Sequence, residues 1–243
     1  MDEIRSFGFR FSTSATNTKI VRKDYYELGN HFQIPTGFVL PNDAHLRPFE
    51  YALTNGMMDA INFHVNLVDG FDRRLRYPSF LTSCRDVIKN LFGEDFRNYT
   101  IGYRFFNNNL CGYSYYYYPT VMKGDRVGIR GITGYERLFN IKQAFIKIAA
   151  ILNLKSIGIL NQYLSIITKF KGISVTTDSL GIIGYKIYGK ASTEDMLTLV
   201  RDIIHLDTGI LETYGDICLC ALRFNLTEFN GFNVYYLPSK VSV

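Results

Sequence analysis

Basic residues recur at one parity of alternating aromatic segments, and that spacing is the first sign of chemistry in this 243-residue chain. Arg10 stands between Phe9 and Phe11, Arg76 between Leu75 and Tyr77, Arg104 between Tyr103 and Phe105, and Lys186 between Tyr185 and Ile187. Side chains alternate between the two faces of a strand, so each cation takes the face that its apolar neighbours leave. Lys19 and Arg74 fit the same pattern, and so do His64, Tyr116, Tyr118, Tyr188, Asn233 and Tyr235. Arg and Lys neutralise phosphate oxygens and hydrogen-bond to them. Aromatic faces attract a cation. Together these types suit a ligand that carries a diphosphate and develops positive charge as the diphosphate leaves. A lone Arg on such a face is ordinary solvent-facing decoration. The set differs because it is rich in Tyr and Asn and nearly free of Asp and Glu.

Other chemistries find less support. His31, His45, His64 and His205 have no spacing that makes a metal site. Cys84, Cys111, Cys218 and Cys220 lack zinc spacing, and Cys218 and Cys220 read as two apolar thiols on one strand. The glycines of "GDRVGIRGITG" (124–134) are not followed by Lys-Ser/Thr, so they do not make a phosphate-cradling loop. No nucleophile elbow occurs. No metal site is expected.

The elements that must position these residues repeat. "LCGYSYYYYP" from Leu110, "IIGYKIYGK" from Ile182 and "FNGFNVYYLP" from Phe229 each read Gly, aromatic, two residues, Tyr. Each follows a short polar stretch and, before that, another apolar strand pattern, so one hairpin is written three times. Weaker copies are read at 7–23 and at 60–78, the latter turning at Asp69-Gly70. Helices are expected between hairpins: "HLRPFEYALTNGMMDA", "SFLTSCRDVIKNLFG", "YERLFNIKQAFIKIAAILN", "SIGILNQYLSIITKF" and "STEDMLTLVRDIIH". In the last, Met196, Leu199, Val200, Ile203 and Ile204 share a face, and Ser192 with Asp195 forms a capping box. The predicted fold is α+β, a single domain over 1–243: a ten-stranded antiparallel β-barrel of five hairpins, surrounded by helices. The facing of Arg223 is left open, because "CLCALRF" is apolar at both parities.

Composition bounds the partners. Hydrophobic residues make up 47% and charged residues 20%, which excludes a disordered chain. No apolar run reaches about 18 residues, so no membrane span is expected. "MDEIRSFGF" has no basic-then-apolar leader, and the expected location is the cytoplasm with reduced thiols. The net charge of +5 favours anionic partners, yet no basic block marks a nucleic-acid binder.

In these strand pairs, "TIGYRFFNNNLCGYSYYYYP", "ISVTTDSLGIIGYKIYGK" and "ICLCALRFNLTEFNGFNVYYLP", the chain resembles the αββα (PT-barrel) prenyltransferases. It is most similar in style to the cyanobactin-type peptide prenyltransferases. The resemblance implies a prenyl diphosphate co-substrate held by inward Arg and Lys, with tyrosines shielding an allylic cation. Lys186 in "GYKIYG" matches the family's strand lysine, and Arg10, Arg76 and Arg104 stand as counterparts of its other cations. Glu3 is the nearest counterpart of the acidic residue that activates the acceptor. The acceptor implied is a peptide side chain or a small aromatic molecule. No DDxxD motif is present, so no cofactor is required, although Mg²⁺ is compatible with such a site. Two rival readings are a non-catalytic barrel that binds a ligand or peptide, and a sheet whose Tyr and Arg bind nucleic acid.

Overall fold

The structure is a computed structural model. It describes residues 4–13, 18–27, 44–46, 50–54, 57–67, 99–106, 109–117, 149–178, 182–206 and 214–236, with residues 143, 146, 208 and 209. Its strands are β1 (Ile4–Thr13), β2 (Thr18–Glu27), β3 (Ala44–Leu46), β4 (Glu50–Thr54), β5 (Met57–Leu67), β6 (Tyr99–Phe106) and β7 (Asn109–Tyr117). Helix α1 (Ile157–Ile166), strands β8 (Lys169–Thr177) and β9 (Ile182–Ser192), helix α2 (Thr193–Ile204), and strands β10 (Ile217–Asn225) and β11 (Glu228–Tyr236) follow. The sheet order is β3-β5-β4-β2-β1-β11-β10-β9-β8-β7-β6, with a further pairing of β5 to β6. All pairings are antiparallel. Seven consecutive strands, β2-β1-β11-β10-β9-β8-β7, form a curled half-barrel and carry most of the described side chains.

This corrects the expectation of a ten-stranded barrel ringed by helices. Among the described residues the sheet has eleven strands and there are few helices, and a ten-strand barrel is not shown. The misreading is local in origin. The segment 45–60, expected as a helix, instead supplies β4 and the ends of β3 and β5. Thr54 pairs with Met57, so a two-residue link with the sequence Asn55-Gly56 joins β4 to β5. Asn-Gly between apolar runs is a strong hairpin signal, and it outweighs the helical spacing of Tyr51, Met58 and their neighbours. The second hairpin therefore spans 50–67 rather than 60–78, and β3 adds an eleventh strand beside β5. The expected turn at Asp69-Gly70 and helix at 79–93 lie outside the described residues.

One face of the sheet is the core. Phe7, Phe9 and Phe11 of β1 are buried, as are Phe232, Val234 and Tyr236 of β11, Cys218, Cys220 and Leu222 of β10, Tyr185 and Ile187 of β9, and Ile173 and Val175 of β8. These are alternate residues, as period-two geometry demands. Helix α1 docks on this face through Leu160, Tyr163 and Leu164. The Tyr163 hydroxyl lies 2.9 Å from the Ile187 carbonyl and 3.1 Å from that of Cys220, so it ties the helix to two strands. The chain leaves α1 close against β9: a Cβ on Gly189 would stand 2.6 Å from Ile167 Cδ1. Helix α2 buries Met196, Leu197, Leu199, Val200 and Ile204. Each such burial is worth about 1.5–3 kcal/mol. The Ser192 hydroxyl caps α2, accepting from the Asp195 N–H at 3.0 Å and donating to the Asp195 carboxylate at 2.7 Å. The last turn ends in an αL residue, His205, whose N–H bonds to the Arg201 carbonyl at 2.9 Å.

The repeated glycine has a structural cause. In four hairpins the Cα register skips one residue of the returning strand: Asp59, Cys111, Ile183 and Asn230. The residue after it is Ala60, Gly112, Gly184 or Gly231, paired to Ala52, Arg104, Thr176 and Arg223 respectively. The bulge sharpens the local twist and presses the returning strand onto the next hairpin. A Cβ on Gly112 would stand 2.1 Å from the Thr177 carbonyl oxygen, one on Gly184 2.7 Å from that of Phe224, and one on Gly231 1.9 Å from that of Phe11. In each case the obstructing atom belongs to the first strand of the following hairpin. The β1–β2 hairpin has no such bulge near its turn, which fits its lack of the glycine signature.

Candidate functional site

The bulges put the copies in one frame, and two levels of residues follow from it on the face opposite the core. Two residues after the Gly or Ala come Asn62, Ser114, Lys186 and Asn233. Their partners on the next hairpin are Arg104, Thr176, Arg223 and Arg10. Three arginines thus hold one repeat position. Two residues further on come His64, Tyr116, Tyr188 and Tyr235, whose partners are Gly102, Ser174, Ala221 and Gly8. Every member of this second level meets a small residue. The reason is visible at Gly8, where a Cβ would stand 2.8 Å from Tyr235 Cδ1. The ring lies across the neighbouring strand and needs that space.

These levels are staggered relative to the hydrogen-bonded rows. The row through Lys186 and Arg223 continues to Gly231, Ser12 and Lys19, whereas Arg10 lies two residues along β1 from Ser12. Tilted strands in a curled sheet keep one level only if the register advances in this way.

The described side chains of the first level are half-buried apart from Asn233, which is 4% exposed. Arg223 Nη1 donates to Ser12 Oγ at 3.2 Å. Ser114 Oγ and Thr176 Oγ1 are 3.4 Å apart and satisfy each other. Asn233 Nδ2 donates to the Tyr235 hydroxyl. Arg10 Nε and Asn233 Oδ1 are buried with no hydrogen-bond partner among the described residues. Two such atoms cost the fold about 1–3 kcal/mol each. On the second level, the Tyr116 and Tyr188 rings are 6.3 Å apart, and the Tyr188 hydroxyl is 3.3 Å from the buried Ser174 Oγ.

A third row extends the positive field: Lys23, Gly8, Tyr235, Leu219, Lys190 and Lys169. Beside it stands Lys171, whose ammonium is held below its usual pKa by burial and then by the charges of Lys169 and Lys190. This row, the row of Arg10 and the row of Arg223 contain no Asp or Glu from β2 through β8. The charged side chains of those three rows are therefore all basic.

Of the residues singled out from the sequence, Arg10, Lys186, Tyr116, Tyr188, Asn233 and Tyr235 lie on this face within the two levels. Arg104 and His64 take equivalent positions by register. Lys19 is on the same face but exposed at the end of its row, opposite Ser12. Glu3, Arg74, Arg76 and Tyr118 lie outside the described residues. One cation left open by the sequence, Arg223, joins this face, and one that the sequence reading missed, Lys23, does too. Arg223 was obscured by the doubly apolar "CLCALRF", and the signal that places it is its pairing with the repeat glycine Gly231. Lys23 is 7% exposed opposite Gly8, and its parity with Lys19 would have found it.

Among the described residues, no group of three His, Cys, Asp or Glu gathers to hold a metal, and no helix is long and apolar enough to cross a membrane. Compared with protein-family models and with curated proteins, the chain matches none.

Proposed function

We propose that the chain transfers an allylic prenyl group from a prenyl diphosphate to an electron-rich acceptor, a side chain of a peptide. The observation that carries this reading is the recurrence of Arg10, Arg104 and Arg223 at one repeat position, one level from Tyr116, Tyr188 and Tyr235. Arg223 and Lys186, paired across β10 and β9, hold the diphosphate. As its C–O bond breaks, the electron pair leaves with the diphosphate and positive charge spreads over the allyl unit. The phenol faces at the next level stabilise that charge and exclude water. The acceptor then attacks the allylic carbon and gives up one proton. Glu3 is the proposed base, by resemblance alone. A cytoplasmic setting with reduced thiols belongs to the same reading.

The test follows melting temperature as a prenyl thiolodiphosphate, which resists ionisation, is added, with a single-stranded oligonucleotide as the comparison. A rise of several degrees with the diphosphate alone is expected, weakened at least tenfold in affinity by Arg223→Ala or Lys186→Ala. Mass spectrometry of a peptide panel incubated with dimethylallyl and geranyl diphosphates then reads transfer. No thermal shift sinks the reading. A shift without any prenylated product reduces it to a ligand-binding sheet.

A further inference from the structure

The Arg10–Asn233 pair differs from the equivalent Ser114–Thr176 pair. Ser114 and Thr176, at the same repeat position, satisfy each other at 3.4 Å. Arg10 and Asn233 are also direct cross-strand partners, yet the Nε–H donor of one and the Oδ1 acceptor of the other both go unused. Asn233 is 4% exposed, so its oxygen has no route to bulk water. The vacant functions are one donor and one acceptor, on two residues paired directly across the β1–β11 ladder. A phosphate cannot satisfy both, since its oxygens would be repelled by Oδ1. A residue in an extended peptide can: its N–H and C=O point to the same side of the backbone, as they do in a sheet.

We infer that Arg10 and Asn233 form a subsite for the main chain of an extended peptide, whose C=O accepts from Arg10 Nε–H and whose N–H donates to Asn233 Oδ1. This rests on the peptide-acceptor reading above and places that acceptor at the β1–β11 junction. The cationic pair Arg223–Lys186 is left for the diphosphate. Tyr235, which lies against Gly8 and accepts from Asn233 Nδ2, flanks the subsite and turns aside to admit the peptide.

The experiment titrates the full chain calorimetrically, with prenyl thiolodiphosphate present, using the capped peptide acetyl-Ala-Tyr-Ala-Ala N-methylamide. A series of analogues replaces each amide N–H in turn with an ester oxygen. One analogue is expected to bind about tenfold more weakly than the parent to the wild-type chain, and no more weakly than the parent to Asn233→Ala. Asn233→Asp, which keeps an acceptor oxygen, should retain the discrimination. If Asn233→Ala fails to fold, the ester series on the wild-type chain decides alone. Equal binding by all analogues, or no binding of the parent peptide, overturns the subsite. Titration of the thiolodiphosphate by itself scores the transfer reading separately: no binding of the thiolodiphosphate sinks that reading, whereas binding of it with no binding of the peptide overturns the subsite alone.

Discussion

The ring of Tyr235 rests on the backbone of Gly8 across the β1–β11 junction, with room for a hydrogen and for nothing larger. A Cβ at Gly8 would stand 2.8 Å from Tyr235 Cδ1 and 2.8 Å from the Val234 carbonyl oxygen. The ring can swing away but the carbonyl cannot. Gly8→Ala is therefore expected to destabilise the fold by about 1–3 kcal/mol through overpacking. It should also displace Tyr235 from its hydrogen bond with Asn233. Urea denaturation measures the first effect, and the change in Tyr235 ring signals by NMR the second. A neutral Gly8→Ala with an unmoved ring would refute the claim that Gly8 is small in order to seat the Tyr235 phenol.

A sharper cost is expected at Gly231. Its φ of +118° suits glycine alone, and a Cβ there would stand 1.9 Å from the Phe11 carbonyl oxygen. Both obstacles are backbone, so Gly231→Ala should cost more than Gly8→Ala, on the order of 3 kcal/mol or above. Gly158 provides the contrast. It sits exposed in the first turn of α1 with nothing within 4 Å of a Cβ, and Gly158→Ala should be neutral or stabilising by about 0.5 kcal/mol. Comparing urea midpoints of the three variants checks the ranking. Gly158→Ala proving the most damaging would contradict it.

These glycines also explain what was readable beforehand. The Gly-aromatic-x-x-Tyr pattern survives in sequence because bulge, close approach and ring seat each demand a residue type, so hairpins β6–β7, β8–β9 and β10–β11 were legible. Hairpin β4–β5 obeys the same geometry with Ala60 in the glycine's place and His64 in the tyrosine's, so its frame was lost and its turn was sought at Asp69 rather than after Thr54. The parity of Arg10, Lys186 and Asn233 was legible because their neighbours Phe9, Ile187 and Val234 are strictly apolar and buried. Arg223 was not, because Ala221 and Leu219 make its own parity apolar too. Pairing across strands, not alternation within one, fixes its face. The count of strands could not be read at all from β3, three residues long with no alternation to display.

The cap of α2 yields a third expectation. Ser192 serves two partners of one residue, the Asp195 N–H and its carboxylate, at the point where β9 ends and the helix begins. Its loss frees a helix whose inner face packs on β1, β9, β10 and β11. Ser192→Ala should cost about 0.5–2 kcal/mol, and Ser192→Asp, which can still accept at N3, should recover part of it despite the nearby Asp195. Thermal melts of the two variants provide the measurement. An unchanged melting temperature in Ser192→Ala would mean that tertiary packing alone sets where α2 starts.

Tyr163 links stability to pH. Its phenol is fully buried, and burial, followed by the neighbouring Cys220 thiol, raises its pKa well above the ordinary value. A phenol held neutral in the folded state and free to ionise in the unfolded one contributes stability that is complete below about pH 10 and drains away as pH climbs beyond it. The unfolded chain then binds fewer protons than the folded one, so the slope of stability with pH is negative. Tyr163→Phe removes this titration together with the hydroxyl's bonds to the Ile187 and Cys220 carbonyls. At neutral pH the variant should be less stable by about 1 kcal/mol, the worth of one buried hydrogen bond. Between pH 10 and 11.5 the gap to wild type should narrow, because the variant lacks this group's alkaline loss. Denaturation curves collected at several pH values measure both numbers. A gap that widened with pH would show that Tyr163 ionises in the folded protein, and that α1 does not seal its hydroxyl against the sheet.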